Sequence, residues 1–151
     1  MSSDAADAAR SVPLTVADLM TRDVVHVEHE ETVATVRDLM SDARIRHLPV
    51  VDENKDLVGI ISDRDLLQAC RFFDEETTLG QERHWLEGMK ASDIMTEQVA
   101  TVPVDLDVRE AAQTLFELKI GCLPVTDGDG VGRLAGILTE SDFVRLFAEG
   151  E

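Results

Sequence analysis

The stretch Gly59–Asp65 reads Gly-Ile-Ile-Ser-Asp-Arg-Asp, and the stretch Gly136–Asp142 reads Gly-Ile-Leu-Thr-Glu-Ser-Asp. Both join a short apolar run to a Ser/Thr-x-x-Asp sequence. A short apolar run favours a buried strand. A hydroxyl residue followed three positions later by an acid is typical of a helix start, where both side chains satisfy backbone N–H groups. The pattern therefore predicts, twice, a strand that runs directly into a helix.

The rest of the chain repeats around these two stretches. The tetrapeptide Asp-Leu-Met-Thr at Asp18–Thr21 returns as Asp-Ile-Met-Thr at Asp93–Thr96, and Leu-Pro-Val at Leu48–Val50 returns at Leu123–Val125, in both cases 75 residues later. The second copy has two extra residues in a Gly-rich turn, where insertions are best tolerated. A repeat that spans most of a chain predicts two similar structural units.

Each unit is predicted to be β-α-β-β-α with a short helical lead-in. The first strand is a β-branched run, Val24–Val27 or Val99–Val102. An amphipathic helix follows, with Thr32 as its N-cap in the first unit and a stripe of Val108, Ala111, Leu115 and Leu118 in the second. The last helix begins after the hydroxyl residue of the opening stretches. The predicted hairpin strands are His47–Val51 with Leu57–Ile61, and Cys122–Thr126 with Arg133–Leu138.

These units define the expected fold class, α+β, with two tandem repeats packed with pseudo-two-fold symmetry. A repeat of roughly 55 residues buries too little surface to be stable alone, so the two are expected to share one core. In the segment between them, a helix is predicted over Gln81–Met89, with Trp85 and Met89 facing inward. The expected organisation is a flexible tail over 1–12, a first repeat over 13–72, a linker over 73–90 and a second repeat over 91–149.

The composition narrows the class of partner. There are 31 acidic and 14 basic residues, a formal net charge of −17. A surface this negative repels phosphate backbones and anionic lipids, so nucleic acid and membranes are not the expected partners. The cysteines Cys70 and Cys122 lie in apolar stretches and are expected to be free thiols. With no apolar segment near 20 residues and no secretory signal, a cytoplasmic location is expected.

The two Ser/Thr-x-x-Asp sequences allow two interpretations. Ser62 with Asp65, and Thr139 with Asp142, can form capping boxes that need no ligand. Alternatively, the carboxylate can accept hydrogen bonds from two sugar hydroxyls, while the hydroxyl and the free N–H groups hold a phosphate. The capping box prefers the longer Glu or Gln, and both copies have Asp, which favours the second interpretation.

A basic segment in an otherwise acidic chain precedes the first hairpin. Arg44, Arg46 and His47 lie there, and Arg64 follows Ser62. Arginine binds phosphate with two parallel hydrogen bonds, so an anion site is one interpretation. The other is a solvated loop whose arginines balance nearby aspartates. The matching segment of the second repeat has one base, Lys119, so the two repeats are not expected to be equivalent.

The ordered, doubled pattern resembles the CBS (cystathionine β-synthase) domain pair, also called a Bateman module. The resemblance covers about residues 14 to 148. It rests on the paired segments Asp18–Thr21 and Asp93–Thr96, Arg46–Val51 and Gly121–Val125, and Gly59–Asp65 and Gly136–Asp142.

The resemblance implies a cleft between the repeats that binds AMP, ADP, ATP or an S-adenosylmethionine-type ligand. It implies ribose contacts from Asp65 and Asp142, and contacts to phosphate or ribose from Ser62 and Thr139. Contacts to phosphate are implied for Arg46, His47 and Arg64. The base would lie among Val25, Val27, Ile45 and Pro49, or among Ala100, Val102, Ile120 and Pro124, and Gly121 is a further implied nucleotide contact. Glu140 and the lack of an arginine after Thr139 weaken the second site for a polyanion, so one and two occupied sites per chain both stay open.

The resulting hypothesis is a stand-alone regulatory module, not an enzyme, that senses an adenine nucleotide and signals to a protein partner in trans. It requires no cofactor, and the resemblance implies a homodimer formed through helices. Two alternatives stay open: a structural interaction module with an empty cleft, or an S-adenosylmethionine-type binder. A metal-assisted hydrolase using His26 and His29 is disfavoured, because the sequence shows no recognisable nucleophile and base.

Overall fold

A computed structural model gives the fold and describes residues 14–127 and 132–149. The predicted tail and most of the Gly-rich turn lie outside the described residues. The helices are α1 Val16–Leu19, α2 Val33–Ala43, α3 Asp63–Ala69, α4 Leu79–Glu87, α5 Ala91–Ile94, α6 Val108–Leu118 and α7 Glu140–Glu149. The strands are β1 Val27–Glu28, β2 His47–Val51, β3 Leu57–Ser62, β4 Val102–Pro103, β5 Cys122–Thr126 and β6 Leu134–Thr139. None of the helices in these ranges is long and apolar enough to cross a membrane.

Each repeat folds into one three-stranded sheet. The strand orders are β1-β2-β3 and β4-β5-β6. In both sheets the first pair is parallel and the second antiparallel, and the registers match: Val27 pairs with Val50, and Val102 pairs with Val125. The predicted α+β class, the tandem β-α-β-β-α units and both hairpins are thereby confirmed.

The first strand of each repeat is shorter and later than predicted. The β-branched runs at 24–27 and 99–102 contribute only their last residue, and the strands are Val27–Glu28 and Val102–Pro103. A β-branched side chain favours extended backbone, but a strand also needs a partner. The neighbouring strand β2 pairs with β1 only through Val50 and Val51. Residues 24 to 26 therefore lie outside the sheet.

The long helices follow the predicted amphipathic pattern. The Thr35 N–H donates to Thr32 Oγ1 at 3.2 Å, which confirms Thr32 as the N-cap of α2. In α6 the predicted stripe is buried at Val108, Ala111 and Leu115, but Leu118 is 53% exposed. Leu118 is the last residue of α6, just before the left-handed C-cap Lys119.

The two lead-in helices are exchanged between the repeats, which the sequence did not predict. Val16 and Met20, at and just after α1, belong to a core cluster with Leu123 and Leu138 of the second repeat. Ala91 of α5 belongs instead to the cluster of the first repeat. Instead of the one shared core expected, the molecule has a main core in each repeat, and each core is completed by the lead-in of the other.

Close contacts fix this exchange at matching positions. Thr21 exchanges two backbone hydrogen bonds with Ile137, and Thr96 does the same with Ile60, at 2.8 to 3.0 Å. A Cβ added at Gly59 would lie 2.5 Å from Met95 Sδ, and one added at Gly136 would lie 2.4 Å from Met20 Sδ. Only glycine permits such close packing at these two strand positions.

The segment between the repeats contains helix α4, two residues earlier than predicted. Leu86, which is fully buried, packs on Val33 and Ala34 of α2. The prediction that Trp85 faces inward was wrong, since Trp85 is 48% exposed. Two ion pairs, Arg37–Glu82 at 3.0 Å and Arg83–Asp38 at 3.2 Å, also hold α4 on α2. Leu86 rather than Trp85 faces α2 because these charged partners on both helices fix the rotation of α4.

Candidate functional site

The stretch at 59–65 forms the predicted strand-to-helix junction. The Asp65 N–H donates to Ser62 Oγ at 3.2 Å, and the Ser62 N–H donates to Asp65 Oδ2 at 2.9 Å. These reciprocal hydrogen bonds are a capping box, and α3 starts at Asp63. In the second repeat the Thr139 N–H donates to Asp142 Oδ2 at 2.8 Å, and α7 starts at Glu140. The capping interpretation therefore holds at both junctions.

An aspartate also caps the N-terminus of both lead-in helices, α1 and α5. The Thr15 N–H donates to Asp18 Oδ2 at 2.9 Å, and the Lys90 N–H donates to Asp93 Oδ2 at 2.8 Å. Aspartate thus accepts the N-cap N–H at four helices, α1, α3, α5 and α7, whereas Gln81 does so at α4. The presence of Asp rather than Glu at positions 65 and 142 therefore does not distinguish ligand binding from helix capping. The surroundings of each carboxylate must distinguish the two interpretations.

Asp65 and Asp142 lie in different surroundings. Asp65 is half-buried, and Thr96 Oγ1 of the second repeat donates to its Oδ2 at 3.5 Å. Asp142 is only 4% exposed, and Arg145 Nη2 donates to its Oδ1 at 3.1 Å. The ion pair to Arg145 was not predicted, although an arginine three residues after an acid on a helix is a recognisable signal. Asp65 is the more available carboxylate of the two.

The segments before the two hairpins lie against the helix starts. In the registers of the hairpins, His47 pairs with Ser62 and Cys122 pairs with Thr139. The Asp63 N–H donates to the Arg46 carbonyl at 2.9 Å, as the Glu140 N–H does to the Gly121 carbonyl at 3.2 Å. In each repeat, therefore, the predicted segment and the predicted helix start form one continuous surface.

The two surfaces meet at Gly121. A Cβ at this glycine would lie 3.2 Å from Glu140 Oε1 and 3.5 Å from His47 Cε1, an atom of the other repeat. Asp65 reaches across the repeats in the same way, through Thr96. Both helix starts thus lie at the junction between the repeats, as the cleft hypothesis requires.

The electrostatics of this junction centre on His47. Its partial burial lowers the pKa of the imidazole below the ordinary value of 6.5. Arg46 acts in the same direction, while Asp63, Asp65 and Glu140 oppose the shift. Burial disfavours the charged imidazolium and is the largest of these influences. At the equivalent position Cys122 is buried, which raises the pKa of its thiol to about 12.

The remaining predicted residues differ in access. Arg46 and Arg64 are exposed, and Val25 is 37% exposed. Ala100, Ile45, Ile120 and Gly121 are half-buried, whereas Val27, Val102, Pro49 and Pro124 are buried in the strands. His26 and His29 take separate partners: His29 Nε2 lies 3.2 Å from Glu53 Oε2, and His26 Nδ1 lies 2.9 Å from the Val24 carbonyl. Within the described ranges, no three His, Cys, Asp or Glu side chains are grouped to hold a metal ion.

A cavity of about 370 Å³ lies beside the junction, between α3, α4 and α5. Of the predicted residues it includes Asp65. Its other lining residues are Gln68, Ala69, Arg71, Phe72, Trp85, Met89, Asp93 and Ile94. Sequence reasoning predicted that Trp85 faces inward and missed this cavity, because the cavity depends on how α4 is rotated on α2.

The fold agrees with solved structures of paired CBS domains. The structure of CBSX2 in complex with AMP has a TM-score of 0.73 and 33% identity, covering 89% of this chain and 96% of that one. CBSX2 is a protein of Arabidopsis thaliana. The CBS domain pair of protein MJ0100, in complex with 5′-methylthioadenosine and S-adenosyl-L-methionine, has a TM-score of 0.71 and 28% identity, covering 91% of this chain and 98% of that one.

Curated relatives place the same unit in different proteins. Inosine-5′-monophosphate dehydrogenase of Thermoplasma acidophilum is 32% identical over 126 residues, 83% of this chain but 22% of the dehydrogenase. The chloroplastic CBSX2 of Arabidopsis thaliana is 32% identical over 159 residues, 91% of this chain and 65% of that protein. The chain itself matches the CBS domain family twice, over residues 16–71 and 91–149. The protein belongs to the CBS domain family and carries a tandem pair of these domains.

Proposed function

We propose that this CBS pair is a regulatory module that binds an adenosine-containing ligand at the junction between its repeats. The observation that carries the proposal is the position of Asp65. It is a half-buried carboxylate at a helix start that also contacts Thr96 of the other repeat. A carboxylate there can accept hydrogen bonds from two ribose hydroxyls, and a ligand bound there would touch both repeats. The complexes of CBSX2 with AMP and of MJ0100 with two adenosine derivatives support this class of ligand.

The residues around Asp65 suit a nucleotide. The Ser62 hydroxyl can donate to a phosphate, and the exposed guanidinium groups of Arg46 and Arg64 provide charge. His47 is held largely neutral by burial, and a bound phosphate would favour its charged form. An anionic ligand should therefore bind more tightly as the pH falls through the range in which His47 takes up a proton.

One ligand per chain is expected. In the second repeat Asp142 is buried and already paired with Arg145, and Glu140 faces Gly121 at the junction. A ribose would have to displace the Arg145 contact, and a phosphate would meet the carboxylate of Glu140. Ligand binding can regulate only through its different affinity for two arrangements of the repeats or of a protein partner. The module then signals to a partner in trans, with no catalytic step of its own.

The test is isothermal titration with AMP, ADP, ATP, 5′-methylthioadenosine and S-adenosylmethionine. The variant Asp65→Asn should weaken the preferred ligand about tenfold, because a charged acceptor for the ribose is lost. Asp18→Asn is the matched control, since Asp18 makes the same capping hydrogen bond at a helix outside the proposed site. A higher affinity for 5′-methylthioadenosine and S-adenosylmethionine than for AMP, ADP and ATP would identify the module as an S-adenosylmethionine-type binder.

Two results would overturn the proposal. The first is the absence of heat with every ligand, together with thermal melts that no ligand shifts, since a ligand of the native state must raise stability. That result favours the interaction module with an empty cleft. The second is equal binding by Asp65→Asn and the wild type, which would leave Asp65 as a capping residue alone.

The proposal extends to a homodimer formed through the second repeat. Phe116, Val144 and Phe147, on α6 and α7, are 82%, 66% and 90% exposed. Large apolar side chains left this exposed are typical of an interface. Light scattering should give twice the monomer mass for the wild type, and Phe147→Glu should shift the protein towards the monomer. A monomeric wild type at high concentration would remove this part of the proposal.

The two free thiols fit a reducing compartment such as the cytoplasm.

A further inference from the structure

The cavity between α3, α4 and α5 has a chemistry of its own, separate from that of the nucleotide site. It is bounded by the C-terminal half of α3 and the turn after it, by Trp85 and Met89 from α4 and its following turn, and by Asp93 and Ile94 of α5. Its volume, about 370 Å³, is within the range of sites that hold small molecules. Arg46, His47 and the other residues of the basic segment do not line it.

The cavity exists because α4 is held by one side only. Fully buried Leu86 and the ion pair Arg37–Glu82 hold α4 against α2. The neighbouring residue Trp85 then points away from α2 and reaches Phe72, which follows α3. The two rings meet edge to face, with centroids 6.1 Å apart. Both rings line the cavity.

One wall of the cavity carries negative charge. Asp65 and Asp93 line it, and each is at the third position of a helix, α3 and α5 respectively. The Oδ2 atom of each accepts one capping N–H, at 2.9 and 2.8 Å. Asp65 Oδ2 also accepts from Thr96 Oγ1 at 3.5 Å, and both carboxylates still have lone pairs for a ligand donor. The net charge of −17 adds to the attraction that this wall exerts on a cation.

An aromatic wall of the cavity already holds one cation. The guanidinium carbon of Arg71 lies 4.5 Å from the centroid of the Phe72 ring, and Arg71 Nη1 donates to the Gln68 carbonyl at 2.8 Å. Arg71 is thus tied to the end of its own helix and to one ring. The Trp85 ring, the best cation-binding aromatic group, and the polarizable sulfur of Met89 remain as the other lining of this wall.

The geometry points to a second ligand site, in which this cavity binds a small organic cation: an ammonium group on an apolar or aromatic body. The ammonium lies between the carboxylates of Asp65 and Asp93, and the body packs on Trp85 and Met89. Carboxylates and aromatic rings lining one cavity are the combination that recognises such cations. A bare metal ion does not fit, because among the described residues the two aspartates have no third ligand grouped with them.

The probe is 2-phenylethylamine, which is protonated at neutral pH, and its neutral isostere 2-phenylethanol is the control. Trp85 is the only tryptophan of the chain, so a change in intrinsic fluorescence reports on this cavity. We expect a saturable change with the amine, at concentrations up to about 10 mM, and none with the alcohol. No saturable change with the amine, or equal changes with both compounds, would overturn the inference.

Variants separate a site from a structural effect. Asp93→Asn should weaken the amine about tenfold, since the charged partner is lost, whereas Asp18→Asn, the equivalent cap on α1, should leave its affinity unchanged. Trp85→Leu, followed by calorimetry, should weaken binding as well. Equal weakening by Asp93→Asn and Asp18→Asn would contradict the inference, because it would trace the loss to helix capping.

The inference does not depend on the proposed nucleotide function. Asp93→Asn should bind adenosine ligands like the wild type, and a protein that binds no nucleotide could still bind the amine. Since Asp65 borders both places, the adenosine ligand and the amine should change each other's affinity by the same factor. Saturable amine binding with unchanged affinity in the presence of the nucleotide would show that Asp65 is not shared.

Discussion

The two repeats of this protein have the same backbone and different surfaces. Their sheets share strand order and register, both lead-in helices are capped by aspartate, and both sheets approach a methionine at a glycine. The first repeat, however, is covered by α4, and Asp65 at its junction is half-buried. In the second repeat Asp142 is buried and paired with Arg145, while Phe147 is 90% exposed. The shared features maintain the fold, and the features that differ are those expected to determine binding.

The largest effect should come from the contact that distinguishes the first repeat. Leu86→Ala removes a fully buried side chain that holds α4 on α2, and should lower the free energy of unfolding by about 3 kcal/mol. The midpoint of thermal unfolding should fall by about 9 °C. Leu79→Ala, on the same helix at a position 80% exposed, is the control and should change little. Equal stability of both variants would mean that α4 is not docked in solution.

A smaller and equal effect is expected at the two glycines of the shared scaffold. Gly59→Ala and Gly136→Ala each place a Cβ within 2.5 Å of a methionine sulfur and about 3 Å from a backbone carbonyl. Each should lower the free energy of unfolding by about 2 kcal/mol, measured by urea denaturation. At Gly80, in the exposed α4, the nearest atom to a new Cβ is 3.9 Å away, so Gly80→Ala should be neutral or slightly stabilising. Markedly unequal losses at Gly59 and Gly136 would show that the exchange of lead-ins is not symmetric.

The two capping aspartates should separate stability from binding. Asp142→Asn breaks the ion pair between the buried Asp142 carboxylate and the half-exposed Arg145 guanidinium, and should cost about 2 kcal/mol of stability, while Asp65→Asn should cost about 1 kcal/mol. Chemical denaturation of the two variants, compared with their nucleotide affinities, tests the contrast. If Asp142→Asn lost nucleotide binding and Asp65→Asn did not, the assignment of the site would have to be reversed.

The smallest effect is a pH dependence restricted to the first repeat. His47 has a lowered pKa in the folded protein, so between that pKa and 6.5 the unfolded chain binds more protons than the native one. Stability should therefore fall as the pH decreases from about 7 through this window, and level off below the folded pKa. Urea melts of the wild type and of His47→Gln, at a series of pH values, check this. A wild type that gains stability over the same range would contradict the assignment.

Much of the fold could be predicted because its signals are local. The hairpin strands, the cap at Thr32 and the two strand-to-helix junctions each follow from neighbouring residues, and the structure confirms them. The lead-in exchange, the length of β1 and the rotation that buries Leu86 rather than Trp85 depend on contacts between distant segments. A single sequence carries no direct signal for such contacts.

For the candidate site, sequence reasoning selected segments that the structure brings together, but it could not predict which of the two carboxylates is the more accessible. Ser62, His47 and Gly121 do lie along one junction, as the resemblance implied. The difference between Asp65 and Asp142 depends on burial and on Arg145, and the cavity beside Asp65 depends on how α4 docks. Both are properties of side-chain packing, and the repeated motif alone makes the two carboxylates look equivalent.

Because the lead-in helices are exchanged, each half of the chain completes the core of the other half. A single protease cut between Cys70 and Thr78 would yield two fragments. Each would carry the lead-in helix, α1 or α5, that packs in the core of the other fragment. Neither fragment alone should remain folded, because each would have an open core and a half-satisfied sheet edge. Mixed together, they should reassociate by fragment complementation, so the protein can tolerate a break in its covalent continuity more readily than the removal of either half.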